Sequence, residues 1–248
     1  MDPWNPNQLR YFDGREWTAN VAARTDAHAA RSVHEPTHQP KQDFPLGQRL
    51  LHLRALPQPA DIEIACLTED EHGRVLAAIR STSIAGERKS AARKFGIFDP
   101  RGLLLGYFTR AAGAGVRDSL VVSDPSDRAV GRLRRTNTFL QRLRSSAIDM
   151  TLEIDKQTVG HTRVSISPGA RFAKVNEPIY DATGSVVATV KRRWRYVDTS
   201  VTFYDYTLEC ARPVPDPLPQ LILGTAFAHY LYDRDKVGGP FASHTNFN

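Results

Sequence analysis

"PLPQLILGTAFAHYLYDRDK", residues Pro217–Lys236, decides the fold, because it must be a membrane span, a membrane-surface helix or a buried core element. From Leu218 to Tyr232 no side chain is charged. A span needs roughly 20 consecutive apolar residues, and this run is shorter and interrupted by Pro219, Gln220, Gly224 and His229. On a helix, Leu221, Ile222, Leu223, Ala226, Phe227, Ala228, Tyr230 and Leu231 cover every face. A surface-lying amphipathic helix needs a charged face, which is missing. The stretch therefore reads as a helix wholly enclosed by the rest of the protein, and it requires a container.

The container is written as a repeat. "DEHGRVLAAIRS" from Asp70, "DPRGLLLGYFTR" from Asp99, "DPSDRAVGRLRR" from Asp124 and "DATGSVVATVKR" from Asp181 share one pattern. Asp opens it, and Gly or Asp stands three residues on. A small residue stands seven on (Ala77, Gly106, Gly131, Ala188), and in three copies Arg stands eleven on (Arg110, Arg135, Arg192). "LEIDKQTVGHTRV" around Asp155 is a shortened copy. Asp with a closing Gly or Asp is tight-turn chemistry, and the flanking runs are strand-like. Small residues inside a strand mark a bend or a close approach. The repeat predicts a meander of about ten or more antiparallel strands. A sheet that large must close or split. The predicted fold is mainly β: a closed antiparallel barrel of about twelve strands, too wide to fill with its own side chains, around the central apolar C-terminal helix. Gly106, Gly131 and Gly224 are expected to give that helix clearance. Between the third copy and the shortened one, "TNTFLQRLRSSAIDM" breaks the pattern and reads as a short helix with Phe139, Leu140 and Leu143 inward.

Four segments are expected: a hairpin module over 1–22, a flexible Pro- and His-containing linker over 23–60, the barrel over 61–238 and a disordered tail over 239–248. "LRYFDGREWT", Leu9–Thr18, reads as two short strands around Asp13-Gly14, a strong hairpin signal. The linker holds His28, His34, His38 and His52 and five prolines, with little to bury. His28, His34 and His38 could hold a metal weakly, but a polar tether is the preferred reading.

Lysine and arginine number 33 against 27 acidic residues, giving +6. This balance favours an acidic partner. Cys66 and Cys210 make no disulfide framework or zinc site, and read as two buried thiols in a reducing compartment. No signal peptide is visible, so the cytoplasm is expected, with peripheral contact to the inner face of the cell membrane. No metal or cofactor is expected. No nucleophile elbow, phosphate loop or zinc-protease motif is present, and no enzyme is read. His161 lies near Ser165 and Ser167 without an orienting acid, and His229 reads as a core histidine.

Two basic stretches stand out. Strand alternation puts Arg132 and Arg134 opposite Leu133, and puts Lys191, Arg193 and Arg195 on the face opposite Arg192 and Trp194. With Arg135 these are the candidate anionic-lipid residues, weighed against solvated barrel strands. Nucleic acid is disfavoured because no recognition motif accompanies the charge.

"DPWNPNQLRYFDGREWT" resembles a short actinobacterial module of unknown function, through Asp2-Pro3, Leu9-Arg10-Tyr11, Asp13-Gly14 and Trp17-Thr18. The chain from about Asp61 to Lys236 resembles the Tubby C-terminal-like fold, closest to the phospholipid scramblase and LURP-one-related families. "EPIYDATGSVVATVKRRWRYVDTSVTFYDYTLEC", leading into the apolar helix, carries this likeness through Glu177, Asp181, Gly184, Lys191, Arg192, Trp194, Asp198 and Asp205. The resemblance implies a non-enzymatic module that binds anionic phospholipid or the membrane surface. Scramblases also place spaced acidic residues before the helix as a calcium loop; here only Asp198 and Asp205 stand there, too few for one. The other reading is a structural or protein-interaction adaptor, with the N-terminal module docking a partner.

Overall fold

The structure is a computed structural model that describes residues 8–12, 17–23, 42–56, 65–82, 92–113, 116–137, 147–165, 175–195 and 203–237. The chain divides into two units, Met1–Gln39 and Pro40–Asn248. In the first, β1 (Gln8–Phe12) and β2 (Trp17–Ala23) pair antiparallel, with Phe12 opposite Trp17. This is the expected hairpin, with its second strand longer than the aromatic motif.

The second unit is a twelve-stranded closed barrel. Its strands are β4 (Leu50–Ala55), β5 (Ala65–Glu69), β6 (Val75–Ser81), β7 (Ala92–Phe98), β8 (Leu104–Gly113) and β9 (Val116–Ser123). They continue as β10 (Ala129–Arg135), β11 (Ala147–Ile154), β12 (Gln157–Ser165), β13 (Val175–Asp181), β14 (Val186–Arg195) and β15 (Phe203–Cys210). Each pairs antiparallel with its sequence neighbours, and β15 pairs with β4 to close the ring. A two-residue strand β3 (Gln42–Asp43) pairs with β16 (Val214–Pro215), and helix α1 (Leu218–Val237) follows.

The repeat explains the hairpins atom by atom. At Asp70, Asp99, Asp124 and Asp181, carboxylate Oδ1 accepts backbone N–H bonds from the residues two and four on. The residue three on takes a positive φ, from 63° at Asp127 to 84° at Gly102, which explains its Gly or Asp identity. The shortened copy turns instead on Asp155 and Lys156, both at positive φ. In all five hairpins the ladder then skips one residue of the outgoing strand: Leu76, Leu105, Val130, Val159 and Val187. The small residue follows this β-bulge directly. A bulge crowds the neighbouring strand: a Cβ on Gly106 would lie 2.6 Å from Ser123 O, on Gly160 2.3 Å from Tyr180 O, and on Gly131 2.9 Å from Glu153 O. Gly106 thus yields to a strand and not to the helix, correcting the expected clearance role. Gly131 faces Leu221, and Gly224 faces Val122, Leu133 and Phe108, as expected.

Twelve strands about 4.8 Å apart, tilted about 40°, make a barrel roughly 24 Å across. A helix about 10 Å wide leaves about 7 Å all round, room for one layer of inward side chains. Every residue from Leu221 to Asp233 is buried. Leu51, Leu53, Ile79, Phe108, Leu133, Leu152, Val190 and Leu208 line the wall around it. Phe227 stacks on Phe108 and meets Phe95 edge-on, each at 5.0 Å between centroids. Among the described residues no helix is long and apolar enough to cross a membrane. Cys66 and Cys210 are buried and free, and burial pushes both thiols up, Cys210 to about 12.

The segment expected to be a linker, 23–60, is corrected over its second half. Phe44 and Leu46 pack against the core around a 3-10 turn at Pro45–Gly47, and β4 lies between β15 and β5. The barrel unit therefore begins before residue 61. The short helix expected around Phe139, Leu140 and Leu143 lies outside the described residues, as does the tail over 239–248.

Candidate functional site

The five turns of the repeat lie at one end of the antiparallel ring, with the start of α1, and the end of α1 lies at the other. Outside the wall, Arg132 stands opposite Glu153 and Arg134 opposite Thr151, with Leu133 turned inward against Leu152. Nε of Arg132 donates to Glu153 Oε2 at 2.7 Å, and Nε of Arg134 to Oε1 at 2.6 Å. Burial alone would raise the Glu153 carboxyl, but these two hydrogen bonds hold it below the usual range. Four strands round, Lys191 lies 2.5 Å from Glu209, and Arg193 is exposed opposite Asp205. Arg195 ends β14, paired with Phe203. Between the two groups stands Arg163 on β12, exposed and 2.9 Å from Asp149. The sequence reading missed Arg163, although alternation along Thr162, Arg163 and Val164 turns it outward. Four strand spacings separate β10 from β14, about 19 Å along a wall that curves through a third of the ring.

Arg135 does not join this group. It shares the face of Leu133, opposite Met150, and points the other way from Arg132 and Arg134. The repeat already contained the reason. Positions seven, nine and eleven after each turn Asp share one face, and position nine is Ile79, Phe108, Leu133 or Val190, all fully buried. The arginines at position eleven, Arg110, Arg135 and Arg192, therefore project to the inner side, at the end opposite the repeat's turns.

Two of them, Arg192 and Arg110, meet the last turns of α1. The Arg192 side chain is 1% exposed, and its guanidinium lies 2.9 Å from Asp233 Oδ2. The Tyr206 hydroxyl donates to the same oxygen. Arg110 lies over the Tyr232 ring, 4.5 Å from its centroid, and the Tyr230 hydroxyl donates to Ala65 O at 2.8 Å. His229, one turn before Asp233, is buried with no hydrogen-bond partner at either ring nitrogen. Comparison with known proteins found no matching family model, curated protein or solved structure.

Burial, and then the nearby Arg192 charge, push His229 down to about 3 from its ordinary 6.5. Its folded-state value is lowered, so its contribution is fully present above about pH 6.5 and is lost as pH falls towards 3. Between about pH 6.5 and about pH 4 this amounts to roughly 3 kcal/mol. His229→Leu is expected to remove that part of the acid loss. Urea melts of both proteins at the two pH values check it, and an unchanged difference between them would refute it.

Away from these groups, the His161 ring stacks on Tyr180 at 4.8 Å, and the Ser165 hydroxyl donates to Glu177. The two are engaged separately, and Ser167 lies outside the described residues.

Proposed function

We propose that the barrel is a non-enzymatic module that binds an anionic phospholipid surface from the cytoplasmic side, as its likeness to scramblase-like and LURP-one-related proteins implies. The observation that supports this reading is the basic wall: Arg132, Arg134, Arg163, Lys191 and Arg193 face outward from the alternate strands β10, β12 and β14. Strands supply such a wall cheaply, because every second side chain turns outward. Each basic residue near an anionic bilayer is worth about 1 kcal/mol. The local acids work against it: Glu153 sits between two of the arginines and Glu209 against Lys191. That pairing favours the second reading, a protein-interaction adaptor whose partner has matched charges of both signs.

Co-sedimentation with vesicles separates the two. The lipid reading expects binding to phosphatidylserine-containing vesicles, little to neutral ones, and loss as salt rises from about 0.1 M to about 1 M. Replacing Lys191, Arg193 and Arg195 with Gln should weaken it by up to about 3 kcal/mol, with stability changed by less than about 0.5 kcal/mol. Equal, weak, salt-independent binding to both vesicle types would leave the adaptor reading.

A further inference from the structure

Burial alone does not fix how α1 sits in its barrel. Its residues are apolar on all sides and enclosed from Leu221 to Asp233. Turning the helix by about 100°, or sliding it by one turn of about 5.4 Å, would exchange one apolar surface for another. One part of the choice is steric. A Cβ on Gly131 would lie 3.0 Å from both Leu221 methyls, and a Cβ on Gly224 would lie 3.2 Å from Val122 and 3.3 Å from Leu133 and Phe108. These fits locate the first half of the helix closely, but methyl contacts can repack at small cost.

The second half is held by polar groups, which cannot. Asp233 meets Arg192 of β14 and Tyr206 of β15, and both partners come from fixed inward positions on the wall. Tyr230 reaches β5 and Tyr232 lies under Arg110 of β8, so the last turns are tied to the wall in several directions. A carboxylate at this depth is tolerable only where its partners are; at any other depth or rotation it would be a buried charge without them.

We propose that the Arg192–Asp233–Tyr206 cluster is a latch that sets the depth and rotation of α1, and that it supplies a single setting of the helix more than it supplies stability. A buried ion pair of this kind can often be replaced by apolar groups of similar size at little cost in stability. What the replacement forfeits here is the penalty on wrong settings. The end of the helix then samples more than one position in the mouth of the barrel.

The experiment uses the full chain with 3-fluorotyrosine incorporated, read by fluorine NMR, with resonances assigned by Tyr230→Phe and Tyr232→Phe. The wild type is expected to give one sharp resonance for each of these two tyrosines. The triple variant Arg192→Met, Tyr206→Phe, Asp233→Leu is expected to melt cooperatively within a few degrees of wild type, yet to give split or broadened resonances at both. Single sharp resonances in that variant would overturn the latch. A triple variant that does not fold would overturn it too, because the cluster would then be needed for stability itself. The swapped pair, Arg192→Asp with Asp233→Arg, is expected to sharpen the spectrum relative to Arg192→Asp alone, and a failure to do so would count against the pairing as the element that chooses.

Discussion

A chain that starts at Asp61 is expected not to form the barrel, whereas one that starts at Pro40 keeps it. The second truncation removes only the separate N-terminal unit. The first removes β4. With it go Leu51, Leu53 and Ala55, which are 0–1% exposed in the core. Fully burying a leucine is worth about 1.5–3 kcal/mol, so the two leucines alone approach the 5–15 kcal/mol that holds a typical domain together. The loss is worse than that sum, because β15 and β5 become open edges and the ring no longer closes around α1. Thermal melts followed by circular dichroism decide it: a cooperative transition for the chain from Pro40, and none for the chain from Asp61. Equal melting temperatures would mean that β4 is dispensable.

Leu223→Asp is expected to unfold the protein as completely. Leu223 is 4% exposed in the second turn of the helix, where Phe108, Leu133 and Val122 crowd the adjacent Gly224. A carboxylate placed there has no partner, and its cost of several kcal/mol rivals the whole stability of a domain. Gln220→Asp is the matched control. Gln220 is exposed in the first turn of the same helix, where a negative charge is tolerated or mildly favourable. The unfolding free energy of the control from urea melts should stay within about 0.5 kcal/mol of wild type, while Leu223→Asp shows no folded baseline. A folded Leu223→Asp would mean that this side chain reaches water.

The barrel was legible because its information is local. Each turn Asp makes its bonds within four residues, so the hairpin signal survives in the bare sequence at Asp70, Asp99, Asp124 and Asp181. Five hairpins account for β5 to β14. The remaining pair is β15 with β4, whose strands are the last and first of the ring and have no turn between them. Only the alternation of Leu51, Leu53 and Ala55 against His52 and Arg54 betrayed β4, and the surrounding prolines and histidines hid it.

The outer arginines were placed correctly where alternation was followed residue by residue, as at Arg132 and Arg134. Arg135 was misplaced because composition grouped it with its neighbours, although position eleven has the parity of the buried position nine. That arginine at position eleven belongs to the interior follows from parity. That Arg192 meets Asp233 does not, since it depends on how deep the helix sits, which no local pattern encodes.

Hydrogen exchange on the intact protein measures the enclosure of α1 most directly. If the helix is the centre of a closed barrel, amides from Leu221 to Leu231 exchange only through global unfolding. They should then show the same opening free energy as the strands β10 and β14 that surround them. Faster exchange along the whole helix than along those strands, with the barrel intact, would contradict the account.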